Sequence, residues 1–144
     1  MSAGTFDGAL RRLFSQLSHG GDPDPHAEGM LRCGQAGREA LGTRVRFCLR
    51  WQDGRVRQAR YRAYGCPYTL ATCEWLAGRL EGLALPERSP DALAGALGAP
   101  PDWADALGIP PERLGRLLII EDALHAALRA DADADADPAM TNPA

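Results

Sequence analysis

No lysine occurs in the sequence; all sixteen basic side chains are arginine, which reads as GC-rich coding rather than chemistry. Long apolar runs are lacking too. None reaches the roughly 18–20 residues that a membrane helix needs, so no membrane span is expected. The opening residues, MSAGTFDGALRRLF, hold no basic region followed by an apolar stretch and a small-residue cleavage site. No secretory signal is therefore expected, and the expected compartment is the cytoplasm. No pair among Cys33, Cys48, Cys66 and Cys73 has the C-x-x-C spacing of a zinc knuckle or a thioredoxin-type redox site. Without a leader, a structural disulfide framework is not expected either, which points to free thiols with a potential for metal. No glycine-rich phosphate loop and no nucleophile–histidine–acid arrangement is visible, so little supports a hydrolase or transferase.

What is present fits one globular unit. Apolar residues make up 45% and charged residues 24% of the 144, ordinary values for a folded chain. Residues 1–130 are expected to form a single domain. The tail from 131 to 144, DADADADPAMTNPA, has almost nothing to bury and is expected to be disordered. Four of the acids behind the net charge of −3 sit in that tail. The remainder is near neutral, and charge alone demands no nucleic-acid partner.

The hydrophobic pattern sets the order of elements. Phe6, Leu10, Leu13, Phe14 and Leu17 form a helical stripe over 5–18. A loop rich in Gly, Pro and Asp follows, and a strand near 30–41 is weakly signalled. Val45, Phe47, Leu49 and Trp51 alternate with Arg44, Arg46, Cys48 and Arg50, the period of a half-buried strand. Asp53-Gly54 predicts a tight hairpin turn. The return strand to Tyr64 is expected to bury Ala59, Tyr61 and Ala63, with Arg60 and Arg62 facing water. Pro67 opens a helix to about Leu80, with Leu70, Cys73, Ala77 and Leu80 on one stripe. Short helices broken at Leu85-Pro86, Ser89-Pro90 and Ala99-Pro100-Pro101 fill 83–110. A last helix runs from Pro110-Pro111-Glu112 to about Ala130, burying Leu114, Leu117, Leu118, Ile119 or Ile120, Leu124 and Leu128. The fold class is α+β: a small antiparallel three-stranded sheet packed against a layer of helices.

Cys66 carries the chemistry. It stands where a strand meets a helix, after Gly65 and before Pro67, where free backbone N–H groups and the positive helix end favour a thiolate. A thiolate binds iron or accepts a sulfur atom; the plainer alternative is a small, inert cap residue.

The surrounding residues resemble a known family. Ala59-Arg60-Tyr61-Arg62-Ala63-Tyr64-Gly65-Cys66, then Thr69-Leu70-Ala71-Thr72 and Gly82, are similar to the strand, central ligand cysteine and helix of the U-type iron–sulfur cluster scaffold family (IscU and the NifU N-terminal domain). Ile109-Pro110-Pro111-Glu112-Arg113 resembles its Leu-Pro-Pro-Val-Lys chaperone-binding motif, and Ile120-Glu121-Asp122-Ala123 its Ala-Glu-Asp-Ala. The likeness covers about residues 36–130. It implies a non-enzymatic scaffold or carrier of iron–sulfur cluster assembly, with a cysteine desulfurase as partner and an Hsp70-type chaperone docking at Ile109–Arg113. Family members hold the cluster with three cysteines and an aspartate or histidine. Only Cys66 carries over: Leu41 and Thr43 stand at the first ligand segment and Arg116 at the last. Leu41 cannot ligate, and Arg116 brings a permanent positive charge in place of a thiolate.

The remaining candidates are weaker. Cys73 lies two helical turns from Cys66, roughly 10–11 Å along the axis, too far to share a metal. Cys48 lies mid-strand among arginines. Cys33 is the one cysteine expected to approach Cys66, so the candidate metal ligands are Cys66 and Cys33, for iron, an iron–sulfur cluster or zinc. His19 and His26 are expected to be solvated, and His125 to face outward. The Arg44, Arg46, Arg50, Arg60 and Arg62 face is expected to lie open, guarding the sheet against aggregation or binding an acidic partner or phosphate. The absence of interleaved exposed aromatics argues against single-stranded nucleic acid. Two functions follow: an assembly scaffold in which Cys66 takes sulfur or gives a cluster ligand, or a module that docks on a desulfurase or another assembly protein without holding a cluster.

Overall fold

Alternation along 43–52 creates the centre of the molecule. In the computed structural model, which describes residues 17–130, β2 (Thr43–Gln52) buries Val45, Phe47, Leu49 and Trp51 on one face. Asp53 and Gly54 both take positive φ, 55° and 74°, the conformation of a tight hairpin turn whose twist matches its strands. The turn returns the chain as β3 (Arg55–Tyr64), antiparallel to β2. The weakly signalled strand is β1 (Met30–Arg38), which pairs antiparallel with the other side of β2, giving the order β1-β2-β3. The expected helix over 5–18, apart from its last two residues, and the tail from 131 lie outside the described residues.

Four helices follow. Cys66 precedes α1 (Pro67–Leu80), and Ser89 caps α2 (Pro90–Leu97) by accepting a hydrogen bond from the Ala92 N–H at 3.1 Å. Prolines also open α3 (Pro100–Leu107), and a single 3-10 turn, Pro111–Arg113, leads into α4 (Leu114–Arg129). Helix α4 lies over β1 and β2, while α1 packs against β3. Between them Leu76, Leu80, Leu117, Ile120 and Leu124 meet the apolar face of β2 and are fully buried. Gly34 makes the closest approach possible: a Cβ there would overlap the backbone of Ala126 and Ala127. Leu118, expected inside, is 46% exposed, because it lies on the side of α4 turned away from the sheet.

Two short stretches lie along the outer edge of β3. Gly20 forms a parallel bridge with Tyr61, with Gly21 N–H donating to Tyr61 O at 2.8 Å and Tyr61 N–H to His19 O at 3.2 Å. Beyond α1, Val56 N–H donates to Leu83 O at 2.9 Å and Leu85 N–H to Gly54 O at 2.8 Å.

The arginine face is covered at its centre, while Arg62 stays exposed as expected. Arg46 and Arg50 are 9% and 6% exposed, since the chain between 19 and 29 crosses beneath them. Arg62 forms a bidentate pair with Asp22 at 2.7 and 2.9 Å, and Arg46 lies 3.6 Å from the same carboxylate. Arg50 donates to the carbonyls of Asp24 and Gly29, and Arg60 turns round the sheet edge to Glu81 at 2.7 Å. These arginines serve mainly to hold the chain's own leading segment, so the expectation of a free basic face is corrected.

Candidate functional site

Cys66 is the N-cap of α1, with extended backbone (φ −76°, ψ 169°), so its side chain projects from the point where β3 ends and the helix dipole is positive. Its carbonyl accepts from Thr69 N–H at 2.9 Å and Leu70 N–H at 3.2 Å, the first helical bonds. The thiol is half-buried, and its sulfur lies 3.6 Å from Thr69 Oγ1. Burial works against ionisation, but the Thr69 hydroxyl, the Thr69 and Tyr68 N–H groups and the Arg116 charge outweigh it. The thiol is therefore held below its ordinary range, the direction that favours a nucleophilic thiolate.

Arg116 comes from the first turn of α4. Its Nη1 donates to Thr43 Oγ1 and to Gly42 O, the latter at 3.4 Å, across 73 and 74 residues of sequence. Thr43 is buried, whereas Leu41 is 75% exposed beside it. No carboxylate pairs with Arg116 among the described residues. Of the four positions matched to family ligands, Arg116 thus bonds Thr43 directly and acts on Cys66 through its charge, while Leu41 stays exposed beside Thr43. That set does not fit a four-ligand cluster: leucine has no lone pair to give, and guanidinium repels a cation. Among the described residues no group of three His, Cys, Asp or Glu could hold a metal ion.

Cys33 is not brought to Cys66. The β1–β2 register sets it directly opposite Cys48, and the two form a disulfide with Cα atoms 4.0 Å apart. The Cys33–Cys48–Arg60 row lies four residues from the Gly37–Arg44–Tyr64 row at the Cys66 end. At about 3.4 Å per residue that is roughly 14 Å. Two expectations are corrected together: Cys33 as a helper of Cys66, and the absence of a structural disulfide. Cys73 is free but completely buried, and burial, with the Glu74 charge, pushes its thiol far up. Cys66 is the free thiol that reaches solvent.

The histidines stand apart. His19 is no loose loop residue: its ring contacts Glu74 through Nδ1 and Glu81 through Nε2 at 3.1 Å, while Glu74 also accepts from Tyr61 OH at 3.0 Å. In the proposed chaperone segment Ile109 is buried, which leaves Pro111 and Glu112 at the surface. In the sequence Arg116 stands out only as a missing ligand. Its convergence with Thr43 and Cys66 was implicit in the same matched positions, because residues that replace ligands of one site still share its location. No described helix is long and apolar enough to cross a membrane.

The family model described as NifU-like N terminal domain matches residues 12–131. Among solved structures, the N-terminal part of a NifU-like protein from Brucella abortus superposes with a TM-score of 0.64 at 18% identity, covering 86% of this chain and 92% of that one. A candidate iron–sulfur cluster assembly scaffold protein for the SUF system from Fervidobacterium islandicum AW-1 gives 0.61 at 14% identity, covering 85% and 96%. At these identities the likeness concerns the fold. No curated protein matches the sequence.

Proposed function

The chain belongs to the NifU-like N-terminal domain family, and from that premise we propose that it is a scaffold-like carrier of iron–sulfur cluster assembly in which Cys66 accepts sulfur. The observation that carries this reading is the half-exposed, ionisation-prone Cys66 thiol at a helix start beside Arg116. In the transfer, the Cys66 thiolate attacks the terminal sulfur of a donor protein's persulfide. A new S–S bond forms on Cys66, the donor's S–S bond breaks, and the donor leaves as its thiolate, with no outside oxidant or reductant. The fitting donor is a cysteine desulfurase, and the compartment is the cytoplasm. Iron and the finished cluster are cargo. Leu41, Thr43 and Arg116 supply no family-type ligand, so Cys66 gives at most one and a partner chain or small thiols complete any cluster. A chaperone contact at Ile109–Arg113 would rest on its exposed Pro111 and Glu112.

The test is a desulfurase incubation with free cysteine under exclusion of oxygen, followed by mass spectrometry of the peptide holding Cys66. One added sulfur on Cys66, absent in Cys66→Ser, is expected. An unmodified Cys66 under desulfurase turnover refutes the reading.

The replaced positions Leu41, Thr43 and Arg116 also favour a second reading, a module that docks on the desulfurase without taking sulfur. Retention of desulfurase by Cys66→Ala as by the native chain, with no sulfur on native Cys66, is its signature.

A further inference from the structure

A cation-binding site gathers acids and thiolates; the surroundings of Cys66 gather the opposite. Arg116 reaches the site from α4 with only Nη1 engaged, by two neutral oxygens, and no described carboxylate pairs with it. Its Nε and Nη2 therefore keep donors for a ligand, in the fork geometry that suits an oxyanion. The Thr43 hydroxyl accepts from Arg116, leaving its own proton to donate, and the Thr69 hydroxyl stands 3.6 Å from the Cys66 sulfur. A second guanidinium, Arg113, lies over the Tyr68 ring at 5.9 Å, two residues from Cys66. The acids on the adjoining turns, Glu39 and Glu112, are exposed and form no ion pair with Arg116.

We propose that Arg116 and Thr43 form an anion subsite beside Cys66, and that a small sulfur oxyanion of the thiosulfate type binds there and loads Cys66 directly. This rests on the reading of Cys66 as a sulfur acceptor. The Cys66 thiolate attacks the outer sulfur of thiosulfate; the new S–S bond forms as the old one breaks, and sulfite departs with its electron pair. One thiolate and one dianion become one persulfide anion and one dianion, so charge and electrons balance without a further reagent. Arg116 holds the sulfonate oxygens on which charge grows as sulfite leaves. Arg116 would thus be a specificity-determining residue for anionic donors, and its charge opposes iron at the same point.

The experiment uses the full chain, its free thiols intact and reductant removed, mixed with thiosulfate without oxygen. Sulfite release and the mass of the Cys66 peptide are followed. One sulfite per chain is expected, none from Cys66→Ser, and a rate about tenfold lower in Arg116→Gln, the loss that one charged hydrogen bond implies. Arg116→Lys should recover part of the rate. Alkylation by neutral iodoacetamide, read at a pH where the thiol is fully ionised, should not fall in Arg116→Gln. Sulfate should slow the native reaction competitively, a readout that needs no variant. No sulfite release, an Arg116→Gln rate equal to native, or no effect of sulfate overturns the proposal. Loading of Cys66 by a desulfurase but not by thiosulfate sinks the anion subsite alone; loading by neither sinks both readings.

Discussion

Breaking the Cys33–Cys48 bond should cost stability without touching the Cys66 site. The two residues are separated by 15 positions, and closing a loop of about that size in the unfolded chain removes entropy equivalent to roughly 3 kcal/mol at 25 °C. For a chain of this size, with a urea dependence of about 1.5 kcal/mol per molar, the midpoint should fall by about 2 M on reduction. Both sulfurs are buried, at 4% and 3% exposure, so the bond must be reduced in the unfolded state before refolding under reductant. Thiol counting comes first. In denaturant without reductant two thiols should titrate, Cys66 and Cys73; after reduction all four should. Urea curves of oxidised and reduced protein then give the shift. Because the Cys33 row lies some 14 Å from the Cys66 end, alkylation of Cys66 in the folded protein should proceed equally in both forms. Four thiols in the unreduced, unfolded chain, or coincident urea midpoints, would refute the reasoning.

Three further outcomes follow. Gly34→Ala drives a methyl into the backbone of α4 and should destabilise by about 3 kcal/mol, read from the same urea curves; a neutral effect would mean β1 and α4 do not touch as described. Glu81 is half-buried, which opposes ionisation, but Ala59 N–H, Arg60 and His19 outweigh burial and hold its carboxyl below the usual value. Its contribution is therefore present above the unfolded pKa near 4.5 and lost as pH falls through the lower folded value. Glu81→Gln should lower stability at pH 7 by about 1 kcal/mol and narrow the gap between pH 7 and pH 3, and parallel pH curves would contradict this. Thr69→Val removes the hydroxyl beside Cys66, so the midpoint of its alkylation pH profile should move to higher pH while the plateau rate does not fall; an unmoved midpoint would contradict the assigned cause.

Strands 43–52 and 55–64, the Asp53-Gly54 turn, the proline-led helices and Cys66 at a helix start were all legible in the sequence. Each is encoded locally, by period-2 alternation, left-handed turn residues or proline at a first helical turn. β1 was faint because Gly34 and Gly37 interrupt its apolar pattern, and Gly34 owes its place to a helix over 80 residues away. The Cys33–Cys48 bond depends on register, which no local pattern in β1 specifies. Burial of Arg46 and Arg50 depends on the crossing of Asp22 and Asp24, which composition presents only as a polar loop. Arg116 was visible as an absence, but its hydrogen bond to Thr43 spans 73 residues and becomes chemistry only in three dimensions.

The occupied outer edge of β3 restricts how any partner can engage. Extended peptides commonly join a protein by extending a sheet, using main-chain groups left unpaired along an outer strand. Along this edge His19 and Gly21 take the main-chain groups of Tyr61, Gly82 and Leu83 those of Val56, and the Glu81 carboxylate the Ala59 N–H. A guest segment therefore finds no row of free amides on that side and must be recognised by side chains. Cys66 stands at the mouth of the strand, past the last of these bonds, so a donor can present its sulfur end-on without displacing any of them.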